Sequence, residues 1–443
     1  MSENRKNVIP FVIAFLAGVV VTAIVAFLLI GNRGVGTKQE KQEANQQAHQ
    51  ETDAAEPAKQ EPNAAESAKQ EAGAAGATAQ EAAAQANTQA NTTEAAQLSA
   101  GSGKNIDYAV TFPSWNPDSE SLSELVDFVA GVTDEESSEY LEPEDRIAAF
   151  DMDGTILCEK APVYIDYCLT MYRVLDDPTY HATEEERNAM QQVRDVAYSE
   201  GKTFDPEGIN KNDLVASAFA GMPPEAFQEY VVDFADHTDV VGFEGMTYGQ
   251  SFYQPMIEVI EYLKANDFDV WMVSACEREV VRALVERYNI PYDHVIATDV
   301  PYVASGKGEE AADDYNMGSN EQILLGAPLE EVECGKSGKP AAIAREIGKR
   351  PVLAFGNSSG DYSMLNYAEG NPDHTGMGFF VVCDDTEREY GSDEKAADFY
   401  EKVEKEGWTP FSMKNDWKTI YGEGVQKTEL PGAEEEEALP DAA

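Results

Sequence analysis

Three short apolar runs constrain the fold of this chain more than any other feature: Arg146–Phe150 (RIAAF), Val270–Val273 (VWMV) and Val352–Phe355 (VLAF). Each is shorter than a typical buried helix, and each empties into a polar or Gly-rich loop, so each predicts a buried strand. Helical patterns at Glu277–Tyr288 and Pro340–Ile347 alternate with them. Strands alternating with helices predict an α/β fold with a doubly wound parallel sheet. The folded region is expected to start near Asn105, with a short amphipathic helix over Ser121–Val132. Sheets of this kind bind ligands at the carboxyl ends of their strands, so the chemistry belongs just after the three runs.

The residues just past the runs fit that expectation. The first run leads into Asp151-Met152-Asp153-Gly154-Thr155. Two carboxylates two residues apart suit nucleophilic attack by one and proton transfer by the other. Holding them together calls for a divalent cation, and Mg²⁺ suits their hard oxygens. Gly154 allows the tight turn between them. The second run ends at Ser274, whose hydroxyl can bind a phosphate oxygen or cap a helix. In GKSGKPAAIAREI, Lys336 and Lys339 both qualify as a charge-balancing lysine. Lys339 is preferred because it directly precedes the helix, with Pro340 at its first position. A P-loop is rejected, because Glu330 stands where that motif needs glycine. The third run leads into GNSSGDYSML, where Asn357 and Asp361 can offer oxygens to a metal.

These four elements, in this order, resemble the haloacid dehalogenase superfamily in its phosphoserine- and phosphorylcholine-phosphatase-like branch. The resemblance spans about Asn105–Lys427. It implies Asp151 as nucleophile and Asp153 as general acid and base. It implies Thr155, Ser274 and Lys339 as phosphate-binding residues, and Asp151, Asp153, Asn357 and Asp361 as the Mg²⁺ set. The second Asp of the first motif marks a phosphatase rather than a dehalogenase. Asn357 departs from the family's usual Asp. The long helical stretch at about 159–245 resembles a C1-type cap. Glu159 and Tyr164 lie where family members read the leaving group, with Tyr167 and Tyr172 beyond. Aromatic rings with a carboxylate can hold an amine or a quaternary ammonium; packing the cap is the simpler role for these tyrosines. The implied activity is Mg²⁺-dependent hydrolysis of a small phosphomonoester through an aspartyl phosphate. The alternatives are a catalytically weakened binding protein of the cell envelope, and a phosphotransferase.

The rest of the chain predicts location. Val8–Ile30 carries no charge over 23 residues, enough to cross a bilayer, and is expected to act as an uncleaved single-pass anchor over 1–30. Residues 31–104 are rich in Ala, Gln and Glu and lack aromatics, so they are expected to form a disordered tether. The hydrolase region is placed at 105–428 and an acidic, disordered tail at 429–443. The catalytic region is expected on the extracytoplasmic side of the membrane, with the cytoplasmic face as the alternative. Net charge is −50, with +1 on residues 1–30, −4 on 31–104 and −6 on 429–443, which leaves −41 on the hydrolase region. Nucleic acid is thereby excluded as a main partner. Five cysteines without a C-x-x-C pair speak against a disulfide scaffold or a zinc ribbon. Cys158 and Cys276 beside the motifs are read as small apolar fillers.

Overall fold

Six strands pair side by side, all parallel, in the computed structural model, which describes residues 106–160, 162–206, 210–327 and 334–432. They are β1 (Ile147–Phe150), β2 (Asp269–Glu277), β3 (Val295–Thr298), β4 (Leu353–Gly356), β5 (Met377–Val382) and β6 (Thr409–Ser412), in the order β3-β2-β1-β4-β5-β6. The α-helices of seven residues or more are α1 (Glu120–Thr133), α2 (Ile165–Met171), α3 (Glu184–Glu200), α4 (Lys211–Ser217), α5 (Pro224–His237), α6 (Gln254–Ala265), α7 (Arg278–Val285), α8 (Gly338–Glu346), α9 (Tyr362–Glu369) and α10 (Asp393–Glu406).

Strand alternation divides the core between two faces. Ala148, Phe150, Phe355, Phe379 and Phe411 point to the side covered by α1, α6, α7 and the cap. Phe150 and Phe355 stack there with centroids 4.1 Å apart. Ala149, Val273, Ala354 and Phe380 point to the other side, against Ile343 of α8, Leu365 of α9 and Val403 of α10. A buried Phe contributes about 1.5–3 kcal/mol, so this ring stack fixes how β1 and β4 sit together. The register pairs Phe150 with both Met272 and Phe355, and the residues just past those positions end at one edge of the sheet.

Helices α2–α5 form the expected cap. A turn of π-helix, Tyr172–Asp176, extends α2. Thr183 and Glu186 close a capping box at the start of α3. An antiparallel strand pair, Tyr302–Ala304 with Ile323–Leu325, grows from the end of β3. It reaches the cap, where Leu325 N–H donates to Met222 O and Gly221 N–H to Leu325 O, both at 2.8 Å.

Four local expectations need correction. The second strand does not stop at Val273 but runs on to Glu277, so Ser274 lies inside it. Its hydroxyl accepts from the Cys276 N–H at 3.1 Å, which lets a polar residue sit in a buried strand. Helix α7 starts one residue late because Glu277 is its cap, with Oε2 accepting from Val280 N–H. Helix α8 starts at Gly338, so Lys339 is in its first turn and Pro340 is third; the first N–H groups of a helix lack internal partners, so proline is tolerated there. Residues 429–432, assigned to the tail, pack on the cap through Gly432 N–H and Tyr198 O at 3.0 Å. The expected membrane anchor, the tether and residues 433–443 lie outside the described residues. Among the described residues no helix is long and apolar enough to cross a membrane.

Candidate active site

Asp151 leaves β1 with its N–H bonded to Phe355 O of the neighbouring strand at 3.0 Å. The chain then turns back on itself: Leu157 N–H donates to Met152 O, and Gly154 N–H to Leu157 O. Gly154 has φ +80°, and a Cβ there would lie 1.9 Å from the Asn357 side chain. No other residue fits, because the backbone conformation and the close approach both exclude a side chain. Thr155 is fully buried beneath this turn, and its hydroxyl donates to Asp151 Oδ2 at 3.2 Å. It therefore braces the nucleophile candidate and does not line the cleft.

Lys339 comes from α8 on the other side of Asp151. Its ammonium donates to Asp151 Oδ1 at 2.5 Å and to Asp361 Oδ1 at 2.6 Å, and all three groups are buried. Asp361 Oδ2 accepts from the N–H groups of Asn357 and Ser358, both at 3.0 Å. Both oxygens of Asp361 are thus engaged, and the residue anchors Lys339 and the Asn357 loop. Gly356 permits this, since a Cβ there would fall 2.3 Å from that of Asp361. Burial and the Asp361 charge push the Asp151 carboxyl above its ordinary range, against the pull of Lys339. Burial alone would lower Lys339, but the two carboxylates win and hold it above the usual lysine value.

The other oxygen of Asp151 faces a different set. Asn357 Oδ1 lies 3.3 Å from Asp151 Oδ2 and 3.1 Å from the main-chain oxygen of Asp153. Three acceptors facing one another repel unless a cation sits among them or the amide turns to present its NH₂. Hard oxygens of this kind fit Mg²⁺. Only one of the three is a carboxylate, which is why no group of three His, Cys, Asp or Glu marks a metal site among the described residues. Asp153 would join through its backbone. Its side chain points to the cleft, and one oxygen, Oδ1, is buried without a partner. Burial, then the charges of Asp166, Asp151 and Glu159, push this carboxyl well above its ordinary value.

These groups open into a cleft of about 340 Å³. Ser274, Ala275, Cys276 and Thr298 form one side of it. The β2–β3 register slips between Val273 and Glu277, and Thr298 Oγ1 donates to Ala275 O at 2.8 Å to hold the slipped segment. The cap supplies the facing side with Glu159, Tyr164, Asp166, Tyr167 and Asn212. Tyr167 donates to Asn212 Oδ1 at 2.6 Å, which joins α2 to α4. Tyr164 is 37% exposed, with Lys160 Nζ 5.9 Å from its ring centroid. Tyr172 is elsewhere, packed on Tyr230 and Phe234 inside the cap. Asp166, Asn212 and Thr298 were not singled out from sequence, because no motif carries them. Cys158 and Cys276 are buried free thiols. Burial pushes both well above the usual thiol value, with Glu389 adding at Cys158 and Asp166 at Cys276, so neither is an activated nucleophile.

The chain matches the haloacid dehalogenase-like hydrolase family over residues 148–366. No curated protein matches it at a significant level. Among solved structures it is similar to a protein of unknown function from Bordetella pertussis Tohama I, at 15% identity and TM-score 0.38, over 60% of this chain and 97% of that one. It is similar to cytosolic 5'-nucleotidase IIIB bound to cytidine, at 12% identity and TM-score 0.38, over 66% and 83%. It is also similar to a phosphoserine phosphohydrolase-like protein from Francisella tularensis subsp. tularensis SCHU S4, at 14% identity and TM-score 0.31, over 54% and 87%.

Proposed function

We propose, from the premise that this chain belongs to the haloacid dehalogenase superfamily as a phosphatase-type hydrolase, that it cleaves a small phosphomonoester with Mg²⁺ through an aspartyl phosphate. The observation that carries this reading is the division of labour at Asp151. One oxygen is held by Lys339 and the other faces Asn357 and the Asp153 carbonyl. Asp151 Oδ1 attacks phosphorus, and the bond to the leaving oxygen breaks as Asp153 donates its proton to it. Asp153 then takes a proton from water, whose oxygen attacks phosphorus and releases Asp151 and inorganic phosphate. Lys339 and Ser274 hold the non-bridging oxygens. Asp151, the Asp153 carbonyl and Asn357 would hold Mg²⁺, which supplies positive charge against the phosphoryl group.

The cap wall supports a choice of substrate class. Glu159 and Asp166 bring negative charge, and Tyr164 and Tyr167 bring aromatic faces, to the side where the leaving group would lie. A cationic leaving group fits this wall, as in a phosphorylated amino alcohol or choline phosphate.

Turnover of an aryl phosphate, phosphoethanolamine, phosphocholine and a neutral sugar phosphate with Mg²⁺ tests the reading. Asp151→Asn is expected to lose roughly a thousandfold or more in kcat. Equal rates in wild type and variant would remove Asp151 from the mechanism.

A further inference from the structure

The proposed reaction leaves a charge imbalance in the cleft. Lys339 is shared by two carboxylates, so with both ionised that buried group carries a net negative charge before any phosphate arrives. A phosphomonoester adds up to two more negative charges, so even with the two positive charges of the Mg²⁺ proposed above about one negative charge would be left over, in a chain with 82 acidic and 32 basic residues. The cleft is lined by one other cation, Lys336. Its side chain is exposed, and it makes no ion pair among the described residues.

The backbone shows that Lys336 is placed at some cost. Its φ is +50°, in the left-handed region that a residue with a side chain rarely adopts. Gly335, directly before it, has an ordinary φ and nothing within 4 Å of where its Cβ would be. Packing would therefore accept a side chain at 335, while the conformation at 336 favours glycine. The chain has the two the other way round. Lys336 N–H donates to Gly360 O at 2.8 Å, which ties this turn to the loop that carries Asn357 and Asp361. The lysine is thus held beside the phosphate-facing loops by its backbone, with its ammonium left unengaged at the mouth.

We propose that Lys336 is a phosphate-binding residue. Its ammonium meets the non-bridging oxygens of the incoming phosphoryl group and offsets the charge that Lys339 and the proposed Mg²⁺ leave over. This rests on the phosphomonoesterase reading of the cleft, and it explains how an anionic ester enters so acidic a protein.

The test uses the full chain with Lys336→Met, Lys336→Arg and a control, Lys395→Met, which removes the same charge from an exposed site in α10 outside the cleft. The readouts are KM and kcat for an aryl phosphate, and Ki for inorganic phosphate as competitor. Lys336→Met should raise both KM and Ki roughly fivefold to tenfold, as for one charge-assisted contact at a part-exposed site, with the loss in binding rather than in kcat. Lys336→Arg should recover most of the loss, and Lys395→Met should change neither constant. Unchanged KM and Ki in Lys336→Met would overturn the proposal. So would an Arg variant as impaired as the Met variant, which would assign the effect to the turn rather than to the charge. Wild-type protein that neither turns over phosphomonoesters nor binds phosphate would instead overturn the phosphatase reading.

Discussion

On the sheet side of the cleft, the buried charges answer one another. Lys339 serves Asp151 and Asp361, and Asp361 is closed off by two backbone N–H groups. Facing the cap, the Asp153 carboxyl has one oxygen, Oδ1, buried without a partner, and Tyr164 of the cap is more than a third exposed. The sheet side is complete before a ligand arrives. The cap side carries polar groups that only a ligand, a water molecule or a proton can satisfy. A phosphoryl group is the same in every phosphomonoester, so its site can be rigid and preformed. The leaving group varies, and the groups that would read it stand on the inserted cap and on the loop that leads into it.

Removing the hub should produce the largest effect. Lys339→Met leaves two carboxylates buried together without their cation, and breaking such a group costs about 3–5 kcal/mol of stability. Thermal unfolding would show it, and a variant as stable as wild type would contradict the picture of a self-satisfied sheet side.

The next effect is pH-dependent and belongs to Glu277, where β2 ends beneath the cap and outside the cleft. Burial pushes the Glu277 carboxyl up to about 8 from an ordinary 4.5. The folded chain then keeps a proton that the unfolded chain releases between those values. Stability is full below about 4.5 and is lost as pH rises towards about 8. The slope is at most about 1.4 kcal/mol per pH unit. Glu277→Gln should flatten it and be the more stable protein at pH 8. Parallel stability–pH curves for the two proteins would show that Glu277 does not titrate as described.

The smallest effect concerns recognition. Glu159→Gln should weaken KM for a cationic substrate such as phosphoethanolamine by about threefold to tenfold, the worth of one partly exposed charge contact, and leave a neutral sugar phosphate unchanged. Equal losses on both substrates would mean that the cap wall does not read charge.

The same contrast governs what can be read from sequence. Asp151, Ser274 and Asn357 lie on adjacent parallel strands or just beyond them, and apolar runs with polar ends mark such positions directly. Strand length was less legible, because the Ser274 hydroxyl is satisfied within its own strand, while a polar residue in sequence reads as the end of one. Asp361 was expected among the metal ligands. Its contact with Lys339, 22 residues away, is one that no sequence pattern marks. Asn212 meets Tyr167 across 45 residues of chain, and helical periodicity reveals which face is apolar but not which helices become neighbours.

The Lys339 hub also bears on how this chain can change over generations. Its partners are 188 and 22 residues away in sequence, yet each fixes the worth of the others. Losing the lysine strands two charges, whereas losing Asp361 leaves a balanced charge pair and costs two backbone hydrogen bonds. Substitutions here are therefore strongly non-additive, and the order in which they arise decides whether a lineage survives them. Drift can begin at Asp361 and only later reach Lys339. The hub can erode along one path and is closed along the other.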